Sequence, residues 1–229
     1  MQAKDVMTTK LITAEPDTAV RDIAKLMLTH RISGVPIVDK SERVLGMVSE
    51  GDLMRRPESE TERKPSWWLE AVFAPRDKAA DYIKAHGTKA SDVMTRDVMT
   101  VDEAMSVRDV ARFLEVHRIK RVPVVGDGKL VGIISRANLL HGLVAGGSNE
   151  LRPVADDDRS IRKTLLQTLA DEAGINTAMV NVIVSDGAVQ LWGLVDSARE
   201  KKAAQLAAET MAGVKSVENN LGQMPAWTT

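Results

Sequence analysis

The chain contains no cysteine, which excludes disulfides and thiolate-ligated metal centres and suits a reducing compartment. Its four histidines are not spaced as a paired zinc motif. Aromatic residues supply only 3% of the sequence, so aliphatic side chains must fill the cores. No apolar run approaches the roughly 20 residues that cross a bilayer. The opening MQAKDVMTTK lacks the apolar stretch of a signal peptide, and a cytoplasmic protein is expected. Neither charge is in excess, with 31 Lys and Arg against 32 Asp and Glu, so no global field draws in nucleic acid or an anionic membrane. A glycine-rich phosphate loop, a paired-histidine motif and a nucleophile arrangement are all missing, so neither catalytic residues nor a metal site are expected.

What the chain does have is an internal repeat. At 229 residues it suits about two domains. Residues 3–54 align with 90–140 with one single-residue gap, and about 19 aligned positions are identical, far more than composition produces. Val20, Ile23, Ala24 and Met27 in the first copy, and Val107, Val110, Ala111 and Leu114 in the second, follow the i, i+3, i+4, i+7 spacing of a buried helix stripe. Short apolar runs come next, 35–38 then 45–48, and 122–125 then 131–134. The polar turns 39–41 and 126–128 separate them, which predicts strand, turn, strand in each copy. A second helix should follow at Asp52 and at Asn138.

Between the copies, 57–89 is charged and proline-bounded at first and helical in pattern later. Trp67, Trp68, Leu69 and Phe73 concentrate aromatic bulk there. They either pack the excursion onto the module or a dimer mate, or anchor a partner. Glycines, a proline and Asp156 to Asp158 interrupt the apolar pattern over 145–157. Beyond it, Ile161, Leu165, Leu166 and Leu169 make a helix face, and Val180, Val182 and Val184 alternate with polar or exposed positions as in a strand. Ser185-Asp186-Gly187 is a hairpin signal. Val189, Leu191 and Val195 form the next strand, Ala203, Leu206, Ala207 and Met211 a helix face, and Val217, Asn219 and Leu221 a closing strand. The order is helix, strand, strand, helix, strand.

Each repeat carries Asp-Val-Met-Thr near its start (5–8 and 92–95), a Val-Pro pair (35–36 and 122–123) and a closing Gly-x-x-Ser-x-x-Asp/Asn. On these marks it resembles the CBS domain. The resemblance implies a mixed α/β fold in which paired repeats form one pseudo-symmetric module, with two clefts that take AMP, ADP, ATP or related adenosyl ligands. The residues of the first closing motif favour the same site on their own account. A strand end at Ser49 and a helix start near Asp52 gather a hydroxyl, backbone N–H groups and a positive helix end. A carboxylate at Asp52 can accept from both hydroxyls of a ribose. An ordinary helix cap would use the same residue types.

By analogy with the family, the main cleft joins Ser49 and Asp52 to Met99, Thr100 and Val101 for the base, and to Lys120 and Arg121 for phosphates. The weaker cleft joins Ser135 and Asn138 to Ile12, Thr13, Ala14, Ser33 and Gly34. There Asn138 replaces the ribose-binding Asp, and Ser33-Gly34 bring no positive charge. Arg31 and Arg118, beside His30 and His117, are expected to cover helix ends or form ion pairs.

The segment 158–225 resembles a BON domain through 189–195, Ala198-Arg199-Glu200, Ala203, Ala207 and 213–221. Gly193 suits a strand end with close backbone approach, and Gly213 a helix stop. That family is proposed to bind phospholipid or to mediate protein contacts; a solvent-facing Trp192 or Trp227 would serve the first, packing being the alternative role. The expected organisation is repeat 1 at 1–56, an inserted helical linker at 57–89, repeat 2 at 90–145, a linker at 146–157 and an αββαβ BON-like domain at 158–227. The expected function is that of an adenine-nucleotide-binding regulatory protein, homodimeric through its CBS modules, with an unidentified protein partner. The competing reading is a structural or stress interaction protein with vestigial clefts.

Overall fold

In the computed structural model, residues 1–54, 82–83, 86–145 and 154–224 are described. Trp67, Trp68, Leu69, Phe73 and Trp227 lie outside the described residues. In chain order the elements are α1 (Ala3–Val6), α2 (Val20–His30), β1 (Gly34–Val38), β2 (Val44–Ser49), α3 (Glu50–Leu53), α4 (Ala90–Val93), β3 (Val101–Asp102) and α5 (Val107–Val116). There follow β4 (Arg121–Gly126), β5 (Lys129–Ser135), α6 (Arg136–Ala145), α7 (Asp156–Asp171), β6 (Val180–Ser185), β7 (Ala188–Val195), α8 (Ala198–Glu209) and β8 (Ser216–Gln223).

The chain divides into two compact units. One comprises Ile12–Met99 and Gly128–Leu130, the other Met1–Leu11, Thr100–Asp127 and Val131–Thr229. The opening segment of each repeat is therefore grouped with the core of the other. Paired sequence marks explain this exchange. A Cβ at Gly46 would overlap the Met94 side chain, and one at Gly132 would overlap that of Met7. The glycine of each closing motif thus makes room for the methionine of the other repeat's Asp-Val-Met-Thr.

In the first unit β1 and β2 form the expected antiparallel hairpin, with Gly34 opposite Ser49 and Val35 opposite Val48. Val20, Ile23 and Met27 bury the α2 stripe against Val35, Ile37, Val48, Val93 and Met94. Ala24 stays half-exposed. Arg31 closes α2 in the left-handed region at φ 53°, and Arg118 does the same after α5 at φ 54°, so both arginines sit at helix ends as expected.

In the second unit β3 pairs parallel to β4, in the order β3-β4-β5. Val107, Val110 and Leu114 bury the α5 stripe, while Ala111 is exposed. The C-terminal segment has the expected helix, strand, strand, helix, strand order, with β6 antiparallel and β8 parallel to the central β7. Asp186 and Gly187 make the hairpin turn with positive φ. Asp158 caps that turn, accepting N–H donors from Asp186 and Gly187 at 2.8 Å each, so this acidic residue belongs to the folded segment.

Two sequence expectations are corrected here. The buried stripe of α8 is Ala204 and Ala208, with Ala207 packed beside it and Met211 reaching the same core from beyond the helix, whereas Leu206 is exposed. Small residues let the helix approach the sheet closely, and Leu206 is turned outward. Strand β6 does not alternate buried with exposed: Asn181 and Ile183 are as buried as Val180, Val182 and Val184. The cause is tertiary, because Ile183 and Trp192 pack with the repeat 2 cluster of Val6, Val110, Leu114, Val124 and Ile134, while Val182 faces the C-terminal core.

Candidate functional site

In the first unit β2 ends at Ser49, whose N–H and hydroxyl both donate to Asp52 Oδ2, at 2.9 and 2.7 Å. Glu50 N–H donates to the Ser33 carbonyl at 3.2 Å, which sets Ser33 and Gly34 beside the motif. Ala14 bridges Ile37 in parallel, its N–H donating to the Pro36 carbonyl at 3.1 Å. Asp52, Ile12 and Thr13 are half-buried and Met99 is exposed. Helix α3 has only four residues, so its dipole is far weaker than that of a full-length helix. What it supplies is the capping hydroxyl and carboxylate, a half-exposed polar pair at a strand end.

The second unit holds the remaining candidates. Val101 pairs with Val124, Thr100 is half-buried, and Lys120 is exposed just ahead of β4, with Arg121 as its first residue. The Lys120 carbonyl accepts from Arg136 N–H at 3.2 Å, the counterpart of the Glu50–Ser33 bond. Ser135 donates to Asn138 Oδ1 from its N–H at 2.8 Å and its hydroxyl at 2.6 Å. Asn138 then departs from Asp52. Its amide Nδ2 donates to the Val6 carbonyl at 3.1 Å and to Thr8 Oγ1 at 3.3 Å, and the residue is 6% exposed. A carboxylate could accept from Ser135 equally well but could not donate to Val6.

The segment Asn138 holds is the one on which the C-terminal domain rests. Asp5, 3% exposed, accepts Gln2 N–H on Oδ2 at 2.7 Å and Arg159 Nε on Oδ1 at 2.9 Å. Its repeat 2 counterpart, Asp92, accepts Thr88 and Lys89 N–H. Arg162 is 7% exposed and donates from Nη2 to the Met7 carbonyl at 2.6 Å and from Nε to the Val182 carbonyl at 2.8 Å. Burial pulls its pKa down to about 10. On the flank, His141 stacks on Trp192 with ring centroids 5.1 Å apart, and burial lowers the imidazole pKa. Trp192 Nε1 donates to Gln190 at 3.1 Å, so this tryptophan packs rather than facing solvent. Asn181 Oδ1 is buried with no hydrogen-bond partner.

Asp5, Val6 and Thr8 fall in the Asp-Val-Met-Thr mark, which carries the family resemblance but no role, and no motif includes Arg159 or Arg162. One sequence signal existed for Arg162: it falls in the buried stripe Asp158, Ile161, Arg162, Leu165 and Leu169, a position where an unpaired charge is costly.

The CBS domain model matches residues 3–59 and 90–145, and the BON domain model residues 157–223. The uncharacterized protein MJ1426 of Methanocaldococcus jannaschii is 30% identical over 155 residues, spanning 63% of this chain and 92% of that protein. The chloroplastic CBS domain-containing protein CBSX2 of Arabidopsis thaliana is 30% identical over 147 residues, and the chain spans 61% of its length. The crystal structure of CBSX2 in complex with AMP superposes with a TM-score of 0.56 at 27% identity, covering 64% of this chain and 99% of that one. The chain belongs to the CBS-domain family, as a tandem CBS pair followed by a BON domain.

Proposed function

We propose that this protein is a non-catalytic, cytoplasmic regulatory protein that binds an adenine nucleotide at the Ser49–Asp52 motif, with Met99, Thr100 and Val101 toward the base and Lys120 and Arg121 toward phosphate. The observation that carries the reading is the half-buried Ser49–Asp52 pair in a fold similar to that of AMP-bound CBSX2. A carboxylate there offers charge-assisted acceptance to ribose hydroxyls. The Ser135–Asn138 motif is the weaker ligand site of the two, because its amide is already engaged and buried. The output passes to the BON domain or to a protein partner. Exposed Val116, Leu140, Leu143 and Val144 on α5 and α6 favour a homodimer that covers them. A phospholipid-binding role for the BON domain ranks lower, since Trp192 is engaged by His141.

A thermal-shift panel of AMP, ADP, ATP, NAD(P) and S-adenosylmethionine on the full chain tests the ligand class, followed by calorimetry on Asp52→Ala. Hydrogen bonds to a charged group are worth roughly 1.5–3 kcal/mol, so affinity should fall by about ten- to a hundredfold. Equal affinity in the variant removes Asp52 from the site. No stabilisation by any of the panel removes the nucleotide reading.

A further inference from the structure

We propose that the closing motif of the second repeat acts as a latch for the BON domain: Asn138 holds the strap Asp5–Thr8 at Val6 and Thr8, and the strap holds the BON domain through the Asp5 carboxylate and the Met7 carbonyl. The path is continuous. Ser135 orients the Asn138 amide, the amide donates to Val6 and Thr8, Asp5 accepts Arg159, and Met7 accepts Arg162, which also donates to Val182 on β6. The Asn-for-Asp exchange between the two repeats thereby acquires a reason. At Asp52 the residue is an acceptor within a capping pair; at Asn138 the donor side of the amide grips a carbonyl that a carboxylate would repel.

The interface mixes polar and apolar contacts: an ion pair, a buried guanidinium on the Met7 carbonyl, a half-buried imidazole on an indole and an asparagine oxygen with no partner lie beside Ile183 and Trp192, which pack on the repeat 2 cluster. Contacts of this mixed kind between domains of one chain are ones that can separate. Adenosyl ligand at this motif and a docked BON domain compete for the same amide, so engaging one weakens the other. This regulatory role rests on the reading of the BON domain as the output of the CBS pair.

The absence of native cysteine permits a direct test on the full chain without nucleotide. Ile183 faces the repeat 2 cluster and Val182, its neighbour on β6, faces the BON core. Thiol-labelling rates of an Ile183→Cys reporter therefore follow undocking, and those of a Val182→Cys reporter follow unfolding of the domain. Asn138→Asp retains the acceptor for Ser135 and loses the donor to Val6. It should raise labelling of the first reporter by about tenfold or more and leave the second unchanged. In an Arg162→Met background the same exchange should have little further effect, since the strap has already lost its main hold. Thr8→Val, which removes only the longer bond, should give a smaller rise. Unchanged labelling of Ile183→Cys in Asn138→Asp overturns the latch, as does an equal rise in both reporters. Because no nucleotide is present, failure of ligand binding at Asp52 leaves this result intact.

Discussion

Replacing Arg162 by Met offers the most direct measure of how tightly the BON domain is docked. Met keeps much of the side chain's length and apolar stem, so the cavity is small and the change is concentrated in the guanidinium. Two donors are lost, to Met7 and Val182. The cost depends on what is left behind. Stranding a buried ion would cost about 3–5 kcal/mol, but the nearby Asp5 carboxylate keeps Arg159, and the hydrogen-bond partners of Arg162 are neutral carbonyls, whose loss of a donor costs about 1–3 kcal/mol each. Only the Met7 bond joins the BON domain to the strap, and relief from desolvating the cation, whose pKa is pulled down to about 10, offsets part of the loss. A net weakening of docking by about 2 kcal/mol follows, or roughly thirtyfold in the open population. Labelling of the Ile183→Cys reporter should rise by that factor, while Val182→Cys stays protected. Thermal unfolding of the BON core should move little. If the Ile183→Cys rate is unchanged, the guanidinium does not hold the dock. If both reporters accelerate together, Arg162 serves the internal core of the domain, and the energetic separation of dock from core is refuted.

Three further outcomes can be checked. Gly193 adopts φ 115° with the Met179 carbonyl where a Cβ would stand, so Gly193→Ala should destabilise the BON half by more than about 2 kcal/mol in urea titration; Gly128→Ala, at φ 76° with open space around it, should cost only about 1 kcal/mol. Burial lowers the His141 pKa from 6.5, so the docked state binds fewer protons than the open one. Docking is then at full strength above pH 6.5 and weakens as pH falls from there through the lowered value. The labelling ratio of the Ile183→Cys to the Val182→Cys reporter should rise on acidification, and His141→Phe should abolish that rise. Light scattering at micromolar concentration should give the mass of a dimer of the 25.0 kDa chain, and Leu140→Glu combined with Leu143→Glu should return the monomer; a monomeric mass for the unaltered chain contradicts the pairing.

Much of the architecture is local in origin and therefore readable from the chain. The stripes at Val20, Ile23, Met27 and at Val107, Val110, Leu114 specify helices because a 3.6-residue period places them on one side. The hairpins follow from apolar runs split by polar turns, and Asp186-Gly187 from its need for positive φ. The closing motifs were equally legible as strand end, hydroxyl and side-chain cap. Partnership between distant faces was not. Nothing in the sequence of β6 says that Asn181 and Ile183 are covered, because alternation records one buried face and is silent about a second element laid over the other. The repeat aligns Asp52 with Asn138 and separates them only by charge; that the amide has a second role appears only in the packed structure, where the Val6 carbonyl lies within reach of one amide hydrogen. Periodicity determines which residues turn inward within an element. Which elements meet depends on hydrogen-bond partners brought together from residues more than a hundred positions apart, such as Asp5 with Arg159, and geometry at that range exists only once the chain has folded.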